Sequence, residues 1–175
     1  MKHFLILFTV FLIPSLSQAA QGDFYFDPHG AVGYNPAQGT HFMLGVDIGM
    51  EITENLRGGL GAYFAAGEHA EDDREYGVGP FATYVQPITS FLVGQLRQEV
   101  NYVNLHDPIK TQTASGITYT HKKEEGVASV TSASLHIFFT RNFVLSGGYR
   151  FVLGLTNDAL DDGRSGAFVG LSIGF

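Results

Sequence analysis

The chain has 175 residues, with 17 Asp plus Glu against 10 Lys plus Arg, a formal net charge of −7 and no cysteine. An acidic surface gives no support for nucleic-acid binding, and without cysteine no disulfide can brace an exported fold. The 22 glycines and 15 phenylalanines, with no stretch of apolar helical periodicity, point to an all-β chain.

The first residues read as an address. Met1, Lys2 and His3 make a short positive start, Phe4 to Ile13 is an apolar run, Pro14 breaks it, and Ser17-Gln18-Ala19 supplies the small residues of a cleavage site. This pattern predicts a secretory signal peptide over residues 1–19 and a single domain over 20–175. A membrane-anchoring helix is disfavoured, because the run is half the roughly 20 residues needed to span a bilayer.

Strands follow. The first predicted strand, Phe24 to Tyr34, sets Gly30, Val32 and Tyr34 against His29, Ala31 and Gly33, and the breakers Asn35 to Gly39 turn the chain. In the second, His41 to Ile52, the residues Phe42, Leu44, Val46, Ile48, Met50 and Ile52 share one face, with Gly45, Asp47, Gly49 and Glu51 on the other. After Thr53-Glu54-Asn55, the third strand, Leu56 to Ala66, sets Leu60, Ala62 and Phe64 against Arg57, Gly59, Gly61 and Tyr63. A charged loop, Gly67 to Arg74, leads to the fourth strand, Glu75 to Val85, where Pro80 removes a ladder donor and predicts a bulge or local defect.

Past the turn Gln86 to Thr89, the fifth strand has Leu92, Leu96, Val100 and Tyr102 on its apolar face and Gln95, Arg97, Glu99 and Asn101 on the other, with Gln98 out of pattern. Between Val103 and Glu125 the apolar face disappears while threonines persist, which predicts a polar hairpin over Lys110 to His121 standing on strands five and six. The sixth strand, Gly126 to Phe139, and the seventh, Phe143 to Leu153, alternate again, separated by Thr140-Arg141-Asn142. An acidic loop, Thr156 to Arg164, precedes the last strand, in which Ala167, Val169, Leu171, Ile173 and Phe175 are apolar while Gly166, Gly170, Ser172 and Gly174 are small or polar.

Eight strands with one apolar and one small or polar face, joined by alternating short turns and long loops, are the pattern of a transmembrane β-barrel. A closed barrel is the only sheet that leaves no unpaired edge in lipid. A soluble eight-stranded barrel would turn its apolar faces inward, yet the charged faces here must look inside, since Asp47 and Glu51 in lipid would be prohibitively costly. In pattern, length and ends the chain resembles the small outer-membrane barrels of the OmpA/OmpX type, over essentially all of residues 20–175. That resemblance implies an eight-stranded antiparallel up-and-down barrel in the outer membrane of a Gram-negative cell, with short periplasmic turns, longer extracellular loops, and lipid and lipopolysaccharide around it. It also implies that Leu171, Ile173 and Phe175 form the signal read by the barrel assembly machinery.

An eight-stranded barrel is only wide enough for side chains to fill it. Its inward ions therefore have to pair, and Asp47, Glu51, Arg57, Arg97, Glu99 and Arg150 are the predicted network. Two other functions compete with a structural or surface-interaction role. Ser134 and His136, two apart on one strand face, are candidates for a lipid A-modifying hydrolase or acyltransferase, with Glu99 as orienting carboxylate. Shifting ion pairs could instead form a narrow ion or solute pore. Asp158, Asp161 and Asp162, with Glu68, Glu71, Asp72 and Asp73, are candidate ligands for divalent cations, although neither run has the spacing of a dedicated calcium loop. No cofactor is expected, and an extracellular protein could dock on the polar hairpin by strand addition.

Overall fold

A computed structural model describes residues 22, 24–36, 38–67, 74–113, 116–140, 143–157, 160 and 163–173, with the backbone alone for 107–113, 116–122, 143, 172 and 173. The predicted signal segment, residues 68–73 of the first acidic loop, residues 158, 159, 161 and 162 of the second, and Phe175 lie outside these residues. Eight strands, β1 (Phe24–Asn35), β2 (Gly39–Thr53), β3 (Leu56–Gly67), β4 (Arg74–Pro87), β5 (Leu92–Thr113), β6 (Gly116–Thr140), β7 (Phe143–Gly154) and β8 (Gly166–Ile173), pair antiparallel in chain order. The ring closes between β1 and β8, with Val32 opposite Val169 and Tyr34 opposite Ala167.

The alternation of residue types dictates the two surfaces. Phe26, Ile48, Leu60, Val78, Leu96, Leu135, Phe151 and Val169 stand on the outside, all more than half exposed. A soluble protein could not present such a belt to water, whereas lipid solvates it, so the fold is that of a transmembrane barrel. Three outward aromatic rings cluster near the loop end, where Phe42 meets Phe64 edge-on at 5.8 Å and Phe64 meets Tyr76 at 5.1 Å. Gln98 also faces outward, and its amide is satisfied there: Nε2 donates to Ser129 Oγ at 2.8 Å, and Thr131 Oγ1 donates to Oε1 at 2.6 Å.

Pro80 leaves a gap in the β4–β5 ladder. Val78 pairs with Tyr102 and Phe81 with Glu99, in the same register on either side of it. The defect costs ladder bonds without bulging the strand.

The connections at the two ends differ less regularly than loop composition suggests. β1 and β2 are joined by a tight turn on the end that carries the long loops, held by Gln38 N donating to Asn35 Oδ1 at 2.7 Å and by Asn35 Nδ2 donating to Gln38 Oε1 at 3.0 Å. Gly39 leaves this turn with φ +67°, a conformation open to glycine at little cost.

The polar hairpin is continuous with the wall. β5 and β6 run for 22 and 25 residues and stay in register from Leu92 opposite Ile137 to Thr113 opposite Gly116. β4 ends its pairing with β5 at Arg74–His106, and β7 ends its pairing with β6 at Ala128–Gly154. Beyond those points, among the described residues, the two strands ladder only with each other, forming a ribbon roughly 20 Å long at about 3.3 Å per residue.

Candidate functional site

Inward parity collects most of the ionisable groups of the barrel wall in the lumen. Arg57 on β3 lies 2.7 Å from Glu51 on β2, its register partner. Arg97 on β5 reaches across to Asp47 on β2 with both Nη atoms, the Nη2–Oδ1 bond being 2.9 Å, and its Nε donates to Glu99 Oε1 at 2.8 Å. Asn101 donates to the second oxygen of Glu99 at 2.9 Å. The guanidinium of Arg97 lies 4.0 Å from the ring centre of Phe81, so one face stacks while the edge is hydrogen-bonded.

Glycines on facing strands make room for these groups. A Cβ at Gly61 would lie 2.7 Å from Asp47 Oδ1 and 2.9 Å from Arg97 Nη2, and one at Gly45 would run into the His29 ring. At these two positions glycine leaves the space that the inward side chains occupy.

Arg150 takes a partner outside the set read from the sequence. It lies 3.4 Å from Glu75 on β4 and 4.6 Å from the centre of the Tyr63 ring. Glu75 is buried and also accepts from Tyr63 Oη at 2.5 Å and from Arg164 Nη1 at 3.0 Å. Glu75 follows the same parity as Gly77 and Phe81, so its inward position was available from the pattern. Arg164 comes from the β7–β8 connection, where no periodicity applies.

That connection closes down on the barrel. Leu155 N donates to Val127 O and Val127 N donates to Thr156 Oγ1, both at 2.8 Å, and Ser165 Oγ accepts from Val152 N at 3.0 Å. Leu160 is buried against Val103, Leu105, Ala128, Val130 and Val152. Beside the Glu75 ion pairs, the loop end of the lumen thus also holds an apolar cluster, in contrast to the small and charged interior that the inward sequence pattern suggests. Its physical reason is that these inward positions face a folded loop rather than lumen water.

Ser134 and His136 are brought together, with 3.0 Å between Oγ and Nε2. Glu99 is not beside them. Ser134 pairs with Gln95 while Glu99 pairs with Val130, four residues further along the same strands, or roughly 13 Å at the rise of a strand. Leu171 faces outward on β8, whereas the side chains of Ile173 and Phe175, and Asp158, Asp161 and Asp162, lie outside the described residues.

The one group of three metal-ligating side chains among the described residues is Asp27, His29 and Asp47, whose donor atoms all lie within 4.8 Å of one another. None of the described helical segments is long and apolar enough to cross a membrane, which leaves strand crossing unaffected.

No family model and no curated protein sequence matches the chain. Solved structures do. The N-terminal β-barrel domain of Pseudomonas aeruginosa OprF matches with a TM-score of 0.54 at 16% identity, over 87% of this chain and 96% of that one. Neisserial surface protein A matches with a TM-score of 0.58 at 17% identity, over 87% and 97%. At such identities the likeness establishes the fold, the eight-stranded barrel.

Proposed function

We propose that the protein is an integral outer-membrane barrel, closed to solutes by its own side chains, that displays the β5–β6 ribbon to a protein partner outside the cell. The observation that carries this reading is the ribbon itself. Past His106 on β5 and before Val127 on β6, no strand among the described residues covers either outer edge. Uncovered edges are templates for strand addition, and a two-stranded ribbon is marginal alone, so a third strand would also stabilise it.

Closure of the lumen is supported by the pairing of Arg57, Arg97, Arg150 and Arg164 and by Leu160 under the β7–β8 connection. Lipid and lipopolysaccharide would surround the belt, and β8 would carry the strand read by the assembly machinery. Ser134 and His136 are read as a structural hydrogen bond, since the pair lies inside the lumen, away from the lipid face where acyl chains lie.

Replacing residues 108–121 by a two-residue turn between Asp107 and Lys122 tests the role. Cells carrying the trimmed barrel should lose attachment to surfaces or to other cells while the barrel stays folded. Equal attachment by the two forms would remove the interaction reading. Planar-bilayer recordings of the full protein should show no steady conductance, and large stable channels would remove the plug.

A further inference from the structure

We infer that Asp27, His29 and Asp47 form a lumen site for a divalent transition-metal cation of the zinc class. Strand geometry builds the site. Asp27 on β1 and Asp47 on β2 are direct register partners, and His29 follows Asp27 by two positions on the same face of β1. Gly45, the partner of His29, leaves the space its ring occupies. Two ligands of one zinc ion stand about 3 to 4 Å apart given its bond lengths, so donors within 4.8 Å need only side-chain rotation to converge.

The charge balance supplies an independent reason. Among the described residues of the lumen, Asp47 and Glu99 share Arg97, Glu51 has Arg57, and Glu75 has Arg150 and Arg164. Asp27 has no guanidinium. Its Oδ1 is shielded from solvent and has no hydrogen-bond partner, a costly state for a carboxylate beside a second one.

A cation would remove both the orphaned oxygen and the repulsion. Asp47 can still serve although Arg97 holds both its oxygens, because each oxygen has a second lone pair. One imidazole with two carboxylates favours zinc-like ions over calcium or magnesium, which prefer oxygen alone. The His29 side chain is 39% exposed, so it is not sealed from solvent as Asp47 is.

The test uses the untagged full chain folded in detergent, stripped with chelator and titrated with Zn2+ by calorimetry, with thermal unfolding followed in parallel. One equivalent should bind and raise the unfolding temperature. His29→Ala and Asp27→Asn should each weaken binding at least tenfold, while His136→Ala, which removes another lumen imidazole, should bind as the parent does. His29→Ala leaves both carboxylates in place and empties space over Gly45, so it is the decisive variant, and heat-modifiable gel mobility verifies its fold. Absence of Zn2+ binding, or unchanged affinity in folded His29→Ala, would overturn the site.

Discussion

Arg97 and Asp47 meet from opposite walls of the lumen, β5 and β2, through two parallel hydrogen bonds between guanidinium and carboxylate. Such a fork fixes orientation as well as distance, and here it ties together strands that are not neighbours in the sheet. Gly61 leaves the opening through which the pair forms. The β-ladder specifies neighbours only, so cross-lumen pairs are what resist flattening or shearing of the ring.

Arg97→Met should therefore lower the urea midpoint of the folded barrel markedly. It strands Asp47 and Glu99 together, and breaking a buried pair costs about 3 to 5 kcal/mol. Arg97→Lys should recover only part of the loss, because an ammonium cannot make the fork. The Ser134→Ala, His136→Ala double variant gives up one hydrogen bond, about 0.5 to 1.5 kcal/mol, and should unfold close to the parent and leave lipid A mass spectra of the host unchanged. A lost lipid A modification with stability intact would make the pair catalytic.

Glu75 binds the β7–β8 connection to the wall through Arg164. Glu75→Gln removes the charge that Arg150 and Arg164 share, so the connection should open. Trypsin should then cut after Arg164 faster than in the parent, measured against cutting after the exposed Lys123 as internal reference. An unchanged ratio of the two cuts would mean that Leu160, not the ion pair, holds the connection down.

What the sequence makes legible is what strand parity controls. Asp47, Glu51, Arg57, Arg97 and Glu99 fall inward because a two-residue period leaves no other face for them once Phe42, Ile48 and Leu96 are outside. Parity says which face a residue is on and nothing about its partner across the lumen, which explains why Arg150 meets Glu75. Loop residues carry no parity at all, so Leu160 and Arg164 could not be placed. The Asp27, His29 and Asp47 cluster lay within reach of the pattern: the three share a face, but their proximity depends on the β1–β2 register, which the compact Asn35 to Gly39 turn sets.

Orientation can be read by labelling. The ribbon and the β7–β8 connection share one end of the barrel, and the Glu54-Asn55 turn lies at the other, where Asn55 Nδ2 donates to Val85 O at 2.7 Å. Ser115→Cys should react with an impermeant maleimide on intact cells, while Glu54→Cys should react only after lysis. Labelling of Glu54→Cys from outside would invert the barrel and place the ribbon in the periplasm.

The lipid belt gives the last prediction. Leu60 is 63% exposed near the middle of β3, flanked by Ile48 and Pro80 on the adjacent strands. An arginine on the lipid face near the midplane costs roughly 2 to 4 kcal/mol, because its charge has neither water nor a carboxylate within reach. Leu60→Arg should thus insert poorly into phospholipid vesicles, whereas Leu60→Phe should insert as the parent does, since the ring adds apolar area to an apolar surface. A general intolerance of bulk at this position would slow both variants. Efficient insertion of Leu60→Arg alongside Leu60→Phe would mean that this face does not meet lipid, and the membrane assignment would fall with it.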